Sequence, residues 1–180
     1  TWFGGAVSDA VNSSREVAQA YLGEHRSRLN FQASRVADDI EGLNELASNI
    51  SAVQQVIYKS AGVRRLSGAS VIRRDGTIVT SAQGLSEEAV LNLPSDAFDL
   101  ADDLRPRGNR VDNRGVEISL PDDDVLSMLI AIENAFLTDT YLVASVDVDD
   151  EVVERVKLSN EASNRYSNMS RAAEQYRLIF

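Results

Sequence analysis

The sequence predicts an α+β domain: a long N-terminal helix or helices, a central antiparallel sheet of about five strands with short helices, and a long C-terminal helix. Three observations carry that expectation. Leu22, Leu29, Val36, Leu43, Ile50 and Ile57 recur every seven residues, which places them on one side of a helix. Near residue 68 the apolar period shortens to two, and Asp75-Gly76 sits between two runs rich in β-branched residues. After Asp147, Asp149 and Asp150 the helical spacing returns and persists to Tyr176.

The first run extends from about Ser8 to Lys59 with no proline to interrupt it. Ala33, Ile40, Leu46, Ala47 and Val53 accompany the heptad positions and widen the apolar seam. Ser8 or Asp9 would cap its start, and Gly42 is the place for a bend or break. An unbroken helix of this length would span roughly 75 Å at 1.5 Å per residue. Only part of it can lie on a small domain, so the rest is expected to pair with another helix or a second chain. Gly62 and Gly68 mark the exit.

Residues 69–74 and 77–81 then flank Asp75-Gly76 as a hairpin, glycine and aspartate supplying positive φ angles in the turn. Residues 87–93 and 95–103 are short amphipathic stretches separated by Pro94, with Ser95 the expected N-cap of the second; both should cover one face of the sheet. Residues 105–115 are polar, with turns at Pro106, Gly108 and Asn113-Arg114-Gly115. Residues 116–120 alternate as a strand, and Pro121 with three aspartates turns the chain. Residues 125–132 are apolar enough for a buried strand or helix, whereas 141–146 form a strand. With loop residues 134–140 between them, the pair reads as a second hairpin. The last helix carries the stripe Val152, Val156, Ser159, Ser163, Tyr166, Ser170 and Ala173, apolar early and small or polar later, so it should be held firmly only near its start. The expected plan is one domain over 1–180: helices at 8–60, sheet at 68–147 and exit helix at 149–177, with the first and last helices projecting the same way.

The chain of 180 residues, 43% hydrophobic, suffices for one core of ordinary size. No stretch approaches eighteen consecutive apolar residues, so no transmembrane helix is expected within it. The opening Thr1-Trp2-Phe3-Gly4-Gly5 lacks methionine and the features of a signal peptide, and the close at Leu178-Ile179-Phe180 turns apolar. These ends read as cuts between two hydrophobic segments, Trp2 and Phe3 suiting a membrane-surface aromatic belt. A net charge of −10 disfavours nucleic acid and anionic lipid as partners. The absence of cysteine removes disulfides, thiol catalysis and thiolate metal sites.

His25 is the single histidine, and no oriented nucleophile–base pair accompanies it. It falls at or near the heptad seam, where one polar residue can fix helix register. The acidic groups at 122–124 and 147–151 lack the glycine and distant glutamate of an EF-hand and read as turns and helix caps, so neither metal nor cofactor is expected. Arg73, Arg74, Arg110 and Tyr141 are the candidates for a ligand pocket at the sheet: arginine takes a carboxylate in a bidentate grip, and tyrosine forms a hydrogen-bonding wall. Strand alternation would send Arg73 and Arg74 to opposite faces.

The hairpin Arg74-Asp75-Gly76-Thr77-Ile78-Val79-Thr80-Ser81 resembles that of extracytoplasmic PAS-like sensor folds of the Cache (PDC) type. Residues 16–26 (Glu16-Val17-Ala18-Gln19-Ala20-Tyr21-Leu22-Gly23-Glu24-His25-Arg26), Tyr141 to Val152 and Arg165-Tyr166 to Arg177 resemble the extracytoplasmic region of NtrY-type nitrogen-regulation sensor histidine kinases. That resemblance implies a periplasmic sensing domain at the bacterial inner membrane, anchored by flanking transmembrane helices and acting as a homodimer. It implies a parent kinase whose phosphoryl-transfer parts lie outside this chain, so that the fragment itself is not an enzyme; the signal stays open, a small-molecule ligand being one candidate. It carries no set of ligand residues. A chemoreceptor ligand-binding domain would share the fold but continue into a methylated coiled coil. A structural coiled-coil module would have a sheet without a cavity.

Overall fold

The computed structural model describes residues 2–43, 49–82, 87–105, 113–120, 125–134 and 136–177. Five helices, α1 (Trp2–Glu41), α2 (Ile50–Arg64), α3 (Glu87–Leu91), α4 (Ser95–Asp103) and α5 (Asp150–Arg177), accompany five strands, β1 (Gly68–Arg73), β2 (Ile78–Ser81), β3 (Val116–Ile118), β4 (Val125–Asn134) and β5 (Leu137–Asp147). The strands form one antiparallel sheet in the order β2-β1-β5-β4-β3. The chain divides into two compact units, His25–Val148 and Thr1–Glu24 with Asp149–Phe180.

In the larger unit the sheet is buried on both faces, and the period of two decides which side chain enters which core. Ala69, Val71, Met128, Ile130, Leu142 and Ala144 face the core shared with α1 and α2. Their neighbours Ile72, Leu129, Ala131, Tyr141 and Val143 face the core shared with α3 and α4. Two-sided burial is why residues 125–132 show no alternation in sequence: both faces want apolar side chains. The segment is a strand, paired with β5 as the second hairpin expected.

The helical run breaks at Gly42, where α1 ends. Asn49 restarts it, its side-chain oxygen accepting the Ala52 N–H at 2.8 Å as the N-cap of α2. The chain turns back so that the second half of α2 lies against α1, with the Ser60 hydroxyl donating to Asp39 at 3.0 Å. Four of the six heptad positions, Leu29, Val36, Leu43 and Ile57, therefore pack where the helix pair meets the sheet, while Leu22 belongs to the smaller unit. Leu29, Val36 and Ile57 are fully buried, and Leu43 is partly buried against the same core. Ile50 is corrected: it is 57% exposed, because it opens α2 instead of continuing α1. Leu46 and Ala47 lie outside the described residues.

Several local expectations are corrected by backbone hydrogen bonding. The Asp75-Gly76 hairpin forms, but only Gly76 has positive φ, at 93°. Gly76 N–H donates to the Arg73 carbonyl at 3.0 Å and Arg73 N–H to the Thr77 carbonyl at 2.8 Å, the pattern of a three-residue loop with a glycine bulge. Arg74 thus belongs to the turn, not to the strand alternation. The N-cap of α4 is Pro94, without a side-chain bond, and Ser95 is its first helical residue. The loop between β4 and β5 is shorter than residues 134–140, since β5 begins at Leu137. Residues 122–124 lie outside the described residues, and Asp149 caps α5 by accepting the Glu151 N–H at 3.0 Å. In the smaller unit, Ser159 on α5 is buried and its hydroxyl donates to the Val11 carbonyl at 3.3 Å, while Val152 and Val156 are half-buried. Ser163, Tyr166, Ser170 and Ala173 have no described side chains.

A polar row along α1 binds that helix to the lead-in of β3. Asn30 accepts the Gly115 N–H at 2.8 Å and donates to the Gly115 carbonyl at 3.2 Å, acting as a short piece of strand. Gly115 permits this approach, because a Cβ there would stand 2.8 Å from Asn30 Oδ1. Two to three turns further along α1, Arg114, 1% exposed, grips Glu41 through two bonds of 2.9 Å, with Asp38 at 3.3 Å. Glu41 also accepts the Glu133 N–H at 2.9 Å, so one carboxylate joins α1, β4 and the strand leader. Sequence alone reads this segment as a polar turn. Its arginine is instead among the most buried side chains described.

Two outcomes follow for stability. Leu29→Ala should cost about 2–5 kcal/mol by urea denaturation, whereas Ile50→Ala should change it by no more than about 0.5 kcal/mol. Equal losses would mean that both heptad positions are buried. Arg114→Ala should cost about 3–5 kcal/mol, because it strands two carboxylates beside a core; a loss below about 1 kcal/mol would show that the cluster is solvated.

Candidate functional site

Besides the Arg114 cluster, two groups of charged side chains in the larger unit bear on a ligand site, one on each side of the sheet. On the α4 side, the Arg74 guanidinium donates to Asp99 at 2.9 Å, to Asp102 at 2.6 Å and to the Tyr141 hydroxyl at 3.2 Å. It stands 5.7 Å from the centre of the Phe98 ring and 5.9 Å from that of Tyr141, whose rings meet edge-on at 4.8 Å. The Tyr141 hydroxyl in turn donates to Asp102 at 3.0 Å, and Arg105 holds the same carboxylate at 2.8 Å. Of the sequence-selected residues, then, Arg74 and Tyr141 come together. Arg73 is exposed at the end of β1, and Arg110 lies outside the described residues. Arg74 already grips carboxylates, but they are the chain's own. The arrangement latches α4 onto the sheet.

The electrostatics of this latch have a readable sign. Burial alone would push the Asp102 carboxyl up; hydrogen bonds from Arg105 and Tyr141 and the two guanidinium charges outweigh it and hold the group below its ordinary 3.8. Burial pushes the Tyr141 phenol above its ordinary value, with Arg74 pulling the other way. A carboxylate with a depressed folded pKa stabilises the fold above its unfolded pKa and loses that contribution as pH falls through the folded one.

On the α1–α2 side lies a cavity of about 480 Å³, within the usual range of small-molecule sites. Among the described residues its lining carries basic side chains and no acidic one: His25 and Arg28 from α1, Arg64 from the end of α2, and Arg65 just beyond. Its apolar walls are Leu29, Val63, Leu66 and Val146, and Gln32 completes it. Arg64 donates to Asp39 at 3.1 Å and approaches Gln32 at 3.4 Å, while its Nε is buried without a hydrogen-bond partner among the described residues.

The backbone at Arg65 accounts for this grouping. Leu66 N–H donates to the Ala61 carbonyl at 3.0 Å and Arg65 N–H to the Gly62 carbonyl at 3.3 Å, closing α2 with a Schellman motif. The residue at the left-handed position, where glycine is usual, is Arg65, with φ 55°. An L-residue there costs about 1 kcal/mol, so the fold holds an arginine at the cavity rim against a local preference. The sequence did show Arg64-Arg65 beside two glycines, but a helix read as ending near Lys59 concealed that they cap it. His25 was identified as a seam residue; its place in this lining depends on α2 turning back. Among the described residues no group of three or more His, Asp or Glu side chains is disposed to hold a metal ion.

Asp102→Asn should lower the melting temperature at neutral pH and make its decline below about pH 4 shallower than in the unsubstituted chain. Parallel melting curves between about pH 7 and pH 3 would exclude a stabilising charge at Asp102.

No family model matches the chain, and no solved structure matches it. Curated relatives do. The NtrY-like sensor histidine kinase of Rickettsia prowazekii is 24% identical over 181 residues, covering 99% of this chain and 28% of that protein. Its counterpart in Rickettsia bellii is 24% identical over 93% of the chain. The nitrogen regulation protein NtrY of Azorhizobium caulinodans is 26% identical over 170 residues, 93% of the chain and 20% of that protein. The chain spans about a quarter of the length of these relatives, and over nearly all of its own length it is similar to proteins named as NtrY and NtrY-like sensor histidine kinases.

Proposed function

We propose that this chain is the extracytoplasmic sensing domain of a membrane-bound two-component histidine kinase of the NtrY type, acting as a homodimer and passing a signal through α1 and α5 to catalytic parts outside the chain. The observation that carries this reading is the extent of the similarity: it runs over 99% of the chain yet covers only 28% of a sensor histidine kinase. The architecture supports it. A five-stranded antiparallel sheet between helices, entered by the 40-residue α1 and left by the 28-residue α5, is in keeping with a PAS-like sensor built to move helices. The α1–α2 cavity favours a ligand-reading domain over a purely structural one. Among the described residues no helix is long and apolar enough to cross a membrane, so the proposal assigns anchoring to segments beyond this chain.

A signal acts here only by binding two arrangements of the helices with different free energy. Where the domain lies can be tested in whole cells, because this chain contains no cysteine. Ser51, exposed on α2, is replaced by cysteine in the parent protein, and intact cells are treated with a membrane-impermeant maleimide. Labelling of Ser51→Cys above the unsubstituted parent, before permeabilisation, is the expected result. Labelling only after permeabilisation would overturn the extracytoplasmic placement. Light scattering on the purified chain tests the dimer, with a monomer at all concentrations counting against it.

A further inference from the structure

We propose that the cavity enclosed by α1, the end of α2 and β5 binds a small aliphatic carboxylate, with Arg64 and Arg65 taking the carboxylate group. The chain as a whole carries a charge of −10, yet among the described residues no acidic side chain lines this cavity and three arginines do. In so acidic a protein, such a basic lining marks a place arranged for an anion. A guanidinium matches a carboxylate with two parallel N–H donors, and Arg64 and Arg65 are consecutive at the capped end of α2. Leu29, Leu66 and Val146 set an apolar wall beside these donors, which suits a ligand with a hydrocarbon part better than a bare inorganic anion. Val63 is 76% exposed, leaving an open side for entry.

The site is tied mechanically to the helix pair. Arg64 also donates to Asp39 on α1, and Asp39 accepts the Ser60 hydroxyl. A bound carboxylate competes with Asp39 for Arg64 and so changes what holds the end of α2 to α1. That this occupant is the kinase's signal rests on the sensor reading above; the binding itself does not.

The purified chain is titrated calorimetrically with butyrate, succinate and glutamate, with inorganic phosphate and nitrate as comparators, and melting is followed in parallel. At least one organic carboxylate should bind and raise the melting temperature, more strongly than phosphate or nitrate. Arg65→Gly suits the left-handed cap and should melt no lower than the unsubstituted chain, while its affinity for that carboxylate falls about tenfold or more. Arg155→Ala, on exposed α5, should leave binding unchanged. No binding by any of the three carboxylates, equal binding by phosphate or nitrate, or undiminished affinity in Arg65→Gly would each overturn the assignment. These outcomes are independent of the maleimide labelling: binding with an inward-facing domain would sink the sensor reading and keep the site, and the converse would do the reverse.

Discussion

The fold of the larger unit depends on how Arg114 is neutralised. A guanidinium removed from water is tolerable only when its charge is matched and most of its donors are satisfied, and Glu41 with Asp38 does both. Because those acids sit in the last turn of the core-facing part of α1, and Arg114 leads into edge strand β3, the cluster fixes the distance between helix and sheet edge. Asn30 sets the same spacing three turns earlier, through the backbone of Gly115. Between these points Ala33, Val36, Ala37 and Ile40 pack on the sheet without room for the helix to slide. The short β3, paired with β4, is thereby also tethered to α1 through the residues that lead into it.

Much of the architecture was legible because periodicity reports directly on burial. The sevenfold spacing located the α1–α2 packing face, and Asp75-Gly76 located the first hairpin. What was not legible depended on partners distant in sequence. Ile50 keeps the heptad register yet is exposed, since register alone does not tell one helix from two. Arg114 looked like turn material because nothing near it reveals that Asp38 and Glu41, more than seventy residues earlier, would bury it. Arg74 was placed on a strand because a three-residue glycine-bulge loop and a two-residue turn share the same Asp-Gly signal.

The candidate site divides the same way. Tyr141 and Arg74 were singled out as ligand-pocket candidates, and the structure brings them together, but with Asp99 and Asp102 already in the grip of Arg74. The basic cavity was hidden by the need for three segments, 25–32, 63–66 and 146, to converge. One local clue was present: an arginine at the place where a helix ends beside glycines. Its meaning required the φ angle that only the fold supplies.

Strand β5 lies at the centre of the sheet, and its successive residues Tyr141, Leu142, Val143 and Ala144 belong by turns to opposite cores. A displacement of β5 by one residue would carry every one of these side chains into the wrong layer, tyrosine included. The strand therefore cannot act as a sliding element. It is an anvil: any rearrangement within this unit must be worked by helices moving against a stationary wall. A perturbation on one side can reach the other only as pressure across a single strand's thickness, from Leu142 to Tyr141 through one peptide bond.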